Sequence, residues 1–123
     1  MKIIIDTHIF LWSLAVPDKI TQQRLDILSS RTNTIYVSSV TIAELMIKAS
    51  IGKIHIDFDP VDLALQSGFE LLDFSGQDAL LLKDLPFHHR DPFDRMLISQ
   101  SITGNYQIMT DDRKIKLYEC QVI

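Results

Sequence analysis

Ile3-Ile4-Ile5-Asp6-Thr7-His8-Ile9-Phe10-Leu11-Trp12 is the stretch on which the reading of the fold turns. Three successive β-branched residues read as a short strand buried on both faces, because a strand with one wet face would alternate apolar with polar. Asp6 ends the run, after which Ile9, Phe10, Leu11, Trp12, Leu14 and Ala15 keep helical spacing until Pro17 closes the segment. A doubly buried strand that hands over to a helix is the repeating unit of a parallel sheet.

The alternation continues outward. Lys19 to Ser30 reads as a helix with Ile20, Leu25, Ile27 and Leu28 on its apolar side, Thr34 to Val37 as a strand, and Ser38-Ser39 opens a helix to about Ile51 that stops at Gly52. Asp59-Pro60 begins a helix reaching Ser67-Gly68, Phe69 to Phe74 is a strand, and Ser75 to Leu85 is a helix ended by Pro86. Asp91-Pro92 begins a helix to Thr103-Gly104, Tyr106 to Met109 is a strand, Asp111-Asp112 opens a short helix, and Gln121 to Ile123 forms a terminal strand. The expected fold is α/β, three layers, with a mainly parallel central sheet and helices on both faces.

Composition narrows the class. The 123 residues carry 12 Lys+Arg against 16 Asp+Glu, a net charge of −4, and 46% are hydrophobic, which is too apolar for disorder and fits a single domain over residues 1–123 with no linker. No apolar run approaches the roughly 18 residues of a membrane span, and Asp6 cuts the first one short of a signal peptide, so a cytoplasmic protein without membrane attachment is expected. The single cysteine, Cys120, excludes an intramolecular disulfide and a Cys-rich zinc site and reads as a packed thiol. A phosphate substrate would need positive charge from outside this acidic composition.

Four acids fall where the strands of such a sheet end: Asp6 after the first strand, Glu44 early in the helix after the second, Asp94 in the first turn of the helix opened by Asp91, and Asp112 after the Tyr106–Met109 strand. Each has a structural explanation. Thr41 to Glu44 fits a capping box, Asp91-Pro92-Phe93-Asp94 fits N-cap, Pro at N1 and acid at N3, and Asp6 and Asp112 suit helix N-termini. Together they are harder to explain so. Two unit charges ~5 Å apart at an effective dielectric near 20 repel by roughly 3 kcal/mol, whereas a helix N-terminus returns only about 0.3 to 1 kcal/mol. A cluster of oxygen ligands suits Mg²⁺ or Mn²⁺, which would also supply the missing positive charge toward a phosphate.

The sequence resembles PIN-domain ribonucleases, and within them the VapC-type toxins of bacterial toxin–antitoxin pairs. The resemblance runs in order through Asp6-Thr7-His8 with Leu11-Trp12, Glu44 with Lys48 and Ile51-Gly52-Lys53-Ile54, His89-Arg90-Asp91-Pro92-Phe93-Asp94-Arg95-Met96-Leu97-Ile98, and Thr110-Asp111-Asp112, nearly the whole chain. It implies an acidic quartet of Asp6, Glu44, Asp94 and Asp112, with Asp6, Asp94 and Asp112 as metal ligands and Thr110 as a polar neighbour; Asp112 is chosen over Asp111 on the Thr-x-Asp spacing. It departs from the subgroup at Ala43, where an aromatic residue often precedes the glutamate. The implied reaction is metal-dependent hydrolysis of RNA phosphodiesters that leaves a 5′ phosphate and a 3′ hydroxyl. The implied partners are an RNA substrate, a cognate antitoxin and a second copy in a homodimer.

Other residues keep two readings each. His8 and His89 flank the site as titrating groups or as hydrogen-bonding orienters. Lys48 is either an i,i+4 partner of Glu44 or a contact to the RNA backbone, and Arg90 and Arg95 are either phosphate grips or ion-pair partners of nearby acids. Trp12 fits a base stack, the core or a dimer interface, while Lys19 to Ser30 is the best surface for a partner helix. Two further classes of function remain open at this level: a small-molecule phosphohydrolase, for which Asp6-Thr7-His8 lacks the usual second acid, and a non-catalytic PIN-like binding module.

Overall fold

The computed structural model describes all residues, 1–123. Five strands form one parallel sheet: β1 (Lys2–Ile5), β2 (Thr34–Ser38), β3 (Glu70–Leu72), β4 (Gln107–Met109) and β5 (Gln121–Val122), in the order β3-β2-β1-β4-β5. The helices are α1 (Thr7–Ala15), α2 (Gln22–Ser29), α3 (Ser39–Ser50), α4 (Pro60–Gln66), α5 (Gly76–Leu81) and α6 (Pro92–Gly104). No helix is long and apolar enough to cross a membrane.

β1 is the centre of the sheet and is buried as its sequence requires. Ile3 and Ile5 face Phe10, Val37, Leu45 and Ala64 on one side, whereas Ile4 turns to the other, against Val40 and Leu97. Each such isoleucine contributes about 1.5–3 kcal/mol by leaving water. Ile98 and Ile108 meet in a further cluster with Leu85 and Tyr118, so α6 covers the face opposite α1 and α4.

Several boundaries differ from the sequence reading, each for a local reason. Lys19 to Ser30 is not one helix: Pro17–Lys19 is a 3-10 turn, Ile20 is extended and buried, and the Thr21 side chain then caps α2 through the N–H of Arg24. Leu25, Ile27 and Leu28 pack on this chain's own core, which removes most of the apolar side foreseen for a partner helix. The strand expected from Phe69 to Phe74 keeps only Glu70–Leu72, because Ser75 starts a capping box with Asp78 at the head of α5. Past Leu81 that helix tightens to a 3-10 turn, Leu82–Asp84.

Candidate functional site

From β1 the chain runs outward to β2 and β3, then returns to place β4 on the other side of β1. The carboxyl ends of β1 and β4 therefore flank the topological switch point, where open parallel sheets form a crevice. Asp6 leaves β1 at this point and Thr110 leaves β4. One Asp6 oxygen accepts the N–H of Ile9 at 2.8 Å, making Asp6 the N-cap of α1, and the other accepts the Thr110 hydroxyl. Burial pushes the Asp6 carboxyl above its ordinary range, against the pull of those two donors.

Glu44 comes from inside α3. The capping box expected for Thr41 to Glu44 does not form, because Ser38 is the N-cap and accepts the N–H of Val40 at 3.0 Å. Glu44 thus sits a turn beyond the cap, buried, with one oxygen accepting the Thr7 hydroxyl at 2.7 Å and the other 2.5 Å from the Lys48 ammonium. The hydrogen bond to Glu44 raises the Lys48 pKa against the effect of burial, and the charges of Asp91 and Asp94 add to the rise.

The third acid enters on α6. Asp91 caps that helix through the N–H groups of Phe93 and Asp94, at 2.9 and 3.0 Å, as its Asp-Pro sequence suggests. Asp94, one residue into the first turn past Phe93, has its carboxyl pushed up to about 6 by burial first and then by Asp91, Asp112 and Glu44, with His89 opposing. Asp112 follows β4 but opens no helix directly; its carboxylate accepts the N–H of Lys114 at 2.9 Å, and the next 3-10 turn is Ile115–Leu117. Burial raises the Asp112 pKa, yet the Lys114 N–H and His89 outweigh it and hold the group below its usual value.

His89 ties the two together. Its Nε2 lies 2.8 Å from Asp112 and 2.9 Å from Asp94, while its Nδ1 accepts the N–H of Asp91 at 3.2 Å. An accepting Nδ1 places the proton of the neutral ring on Nε2, directed at the carboxylates. The imidazole therefore relieves part of their repulsion as a donor. Its place is fixed from behind, since the hydroxyl of Tyr118 accepts the backbone N–H of His89 at 2.9 Å.

Asp6, Glu44, Asp94 and Asp112 thus line one cleft of about 370 Å³, and nine of its ten lining residues are polar, Trp12 being the exception. His8, Lys48 and Asp91 line it as well, and Thr110 supports it from beneath Asp6. Asp111 reaches the rim, but it is paired with Arg24 at 2.5 Å and faces solvent, which favours Asp112 as the inner acid.

Two expectations need correction. Arg95 grips neither phosphate nor a nearby acid: it is buried away from the cleft, donating to the carbonyls of Leu82, Leu85, Pro86 and His89 and to the Tyr118 hydroxyl. Arg90 is exposed and pairs with no acid. His89 takes the hydrogen-bonding, orienting position that is one of its two readings, whereas no role for Thr7 is read from the sequence and the particular pair of acids that His89 bridges is not given by it. The sequence signal for both was adjacency, Thr7 next to Asp6 and His89 just ahead of the Asp91 cap.

Ligand atoms of His89, Asp94 and Asp112 lie within 4.8 Å of one another. Two of these three are carboxylates, and with Asp6 and Glu44 lining the same cleft the oxygen donors present are of the kind that suits a hard divalent cation. Because Nε2 of His89 carries its proton toward the acids, His89 fits the part of an orienting donor better than that of a ligand.

The sequence model of the PIN domain family matches residues 3–119. No curated protein matches the sequence. Among solved structures, a chain of VapBC2 from Rickettsia felis, bound to a DNA fragment from their promoter, superposes with a TM-score of 0.77 at 22% identity, over 100% of this chain and 98% of that one. DNA-bound VapBC from Salmonella typhimurium gives 0.70 at 18% identity, over 100% and 97%. The PIN domain endonuclease Utp24 gives 0.51 at 20% identity, over 94% and 74%. At these identities the likeness is one of fold.

Proposed function

The chain belongs to the PIN domain family, and from that premise we propose that it is a metal-dependent endoribonuclease toxin of the VapC kind, held inactive by a small cognate antitoxin. The observation that carries this is the convergence of Asp6, Glu44, Asp94 and Asp112 from four separate elements into one polar cleft at the switch point of the sheet. Hydroxyl and imidazole donors, Thr110, Thr7 and His89, set their positions, and of the four only Glu44 has a cation beside it, Lys48, which leaves the cleft net negative. A structural role would be served better by pairing each acid with a cation.

Asp6, Asp94 and Asp112 are the proposed ligands of Mg²⁺ or Mn²⁺, with Glu44 completing the acidic shell. When bound, the cation supplies Lewis acidity toward water and a phosphoryl oxygen and offsets the charge of the approaching backbone. The residues of the chain do the rest. Thr110 and the α1 N-terminus fix Asp6, and His89 holds Asp94 and Asp112 at a set spacing. Lys48, already at the rim beside Glu44, is placed to meet a phosphate. The scarcity of apolar lining favours a hydrated backbone over a small apolar ligand.

The fold's likeness to chains of VapBC complexes supports the antitoxin partner, and a homodimer and work in the cytoplasm are further parts of the proposal, taken from the family resemblance alone. The deciding test is incubation of the purified chain with end-labelled single-stranded RNA and either Mn²⁺ or Mg²⁺. Cleavage to 5′-phosphate ends by wild type, lost with Asp6→Asn, is expected. No cleavage with either metal, or cleavage unchanged in Asp6→Asn, overturns the proposal.

A further inference from the structure

Two residues before His89 the chain presents Phe87, whose 78% exposure is the highest of its large hydrophobic residues. The segment beneath it is pinned. Arg95 donates to the carbonyls of Leu82, Leu85, Pro86 and His89, on either side of Phe87. The Tyr118 hydroxyl donates to the Pro86 carbonyl at 2.6 Å and accepts the N–H of His89. The guanidinium carbon of Arg95 also lies 4.4 Å from the centre of the Phe87 ring, so the inner face of the ring is already occupied by a cation and the ring cannot fold inward.

The surroundings decide what such a ring would meet. Pro86, His88 and Arg90, its neighbours along the loop, are all exposed, and the His88 ring stacks edge-on against Tyr118 at 5.2 Å. The ring thus meets a guanidinium on its inner side, and the polar His88 and Arg90 follow it along the exposed loop. A rigid aromatic face with an exposed arginine, Arg90, three residues on suits an unpaired base, because every base has a π-face and that charge is free to meet a phosphate.

Building on the ribonuclease reading, we infer that Phe87 is a stacking platform for an unpaired nucleobase of the RNA, held by the Arg95 and Tyr118 clamp two residues before His89, whose ring bonds the cleft acids Asp112 and Asp94. It is a binding residue for substrate, and it acts on affinity more than on the chemical step. This gives the acidic cleft a contact with RNA that does not depend on the sign of its charge.

The test compares Phe87, Phe87→Trp and Phe87→Leu in the full chain. Binding of a fluorescent single-stranded oligoribonucleotide is read by anisotropy in an Asp94→Asn background, which prevents turnover, and cleavage is read with Asp94 intact. Phe87→Leu is expected to weaken binding and raise KM about tenfold with kcat and melting temperature near wild type, since a base–aromatic stack accounts for about that much. Phe87→Trp should restore both. Binding and KM within twofold of wild type in Phe87→Leu overturn the platform, and do so in favour of a protein contact if the same variant shifts self-association instead. Phe87-dependent binding without cleavage would uphold the platform and sink only the nuclease reading, whereas absence of RNA binding by wild type would sink both.

Discussion

The Nε2 proton of His89 points between Asp112, 2.8 Å away, and Asp94, 2.9 Å away, and so stands where positive charge is most needed. Removing the ring exposes both carboxylates to each other. His89→Ala should lower the stability of the metal-free protein by about 1 kcal/mol, the cost of stripping a partner from half-buried acceptors. Mn²⁺ should recover much of that loss, because a cation relieves the same repulsion. Melting curves with and without Mn²⁺ test this, and an equal drop in both would mean that the ring acts only through packing.

The cleft also fixes a pH dependence. Asp94 has a folded pKa of about 6 against an ordinary 3.8, so between those values the native state holds a proton that the unfolded chain has released. Stability of the metal-free protein should therefore fall as pH rises from about 4 to 6, by up to about 3 kcal/mol from this group. Asp6, raised by its burial, acts in the same direction. Asp112 is lowered and acts oppositely, contributing stability above its unfolded pKa that is lost in stronger acid. A series of melts from pH 3.5 to 7.5 in chelator should show a maximum at mildly acid pH, and addition of Mn²⁺ should flatten its neutral side. A metal-free stability that climbs steadily to pH 7.5 would contradict this account of Asp94.

Arg95 offers a test of structural against phosphate-binding arginines. Its five side-chain hydrogen bonds go to four carbonyls and one hydroxyl, all inside the protein. Arg95→Lys keeps the charge but cannot serve that fan of acceptors. A loss of about 2–4 kcal/mol of stability is expected, with the salt dependence of RNA binding unchanged, since no phosphate contact is removed. A smaller salt slope at unchanged melting temperature would restore the phosphate grip read from the sequence.

How much of this was legible beforehand follows from the range of the forces involved. The isoleucine run of β1 and the Asp-Pro starts of α4 and α6 are local signals, and the elements stand where those signals put them. The parallel order of the sheet followed from alternation. The capping box at Thr41 to Glu44 failed because Ser38 competes for the helix end, and that outcome depends on where β2 stops. Arg95 was misread for a related reason: in sequence it neighbours Asp94, but its acceptors come from Leu82 to His89 and from Tyr118, which only the folded loop brings together. The convergence of the four acids was visible as strand-end positions, while the donors that aim them, Thr7 and His89, depended on tertiary geometry.

Asp91 and Asp94 give the sharpest separation of a capping acid from a working one. Asp91 accepts the N–H groups of Phe93 and Asp94 through a single oxygen, and asparagine caps a helix about as well as aspartate. Asp91→Asn should therefore leave the fold intact. It also removes the largest charge opposing ionisation of Asp94, so the stability maximum should move to higher pH. Asp94→Asn has a different signature. It deletes the half-buried, reluctant carboxylate itself, which should raise the metal-free stability at pH 7 and at the same time weaken Mn²⁺ binding and RNA cleavage by more than tenfold. Stabilisation coupled to loss of function is what a functional acid held against its own electrostatics must show, because the strain that the metal relieves is the strain the substitution removes. Purified variants, melting curves at pH 5 and 7, and cleavage rates at saturating Mn²⁺ decide it. If Asp91→Asn abolishes cleavage while Asp94→Asn retains it, the third acid of the cleft is Asp91.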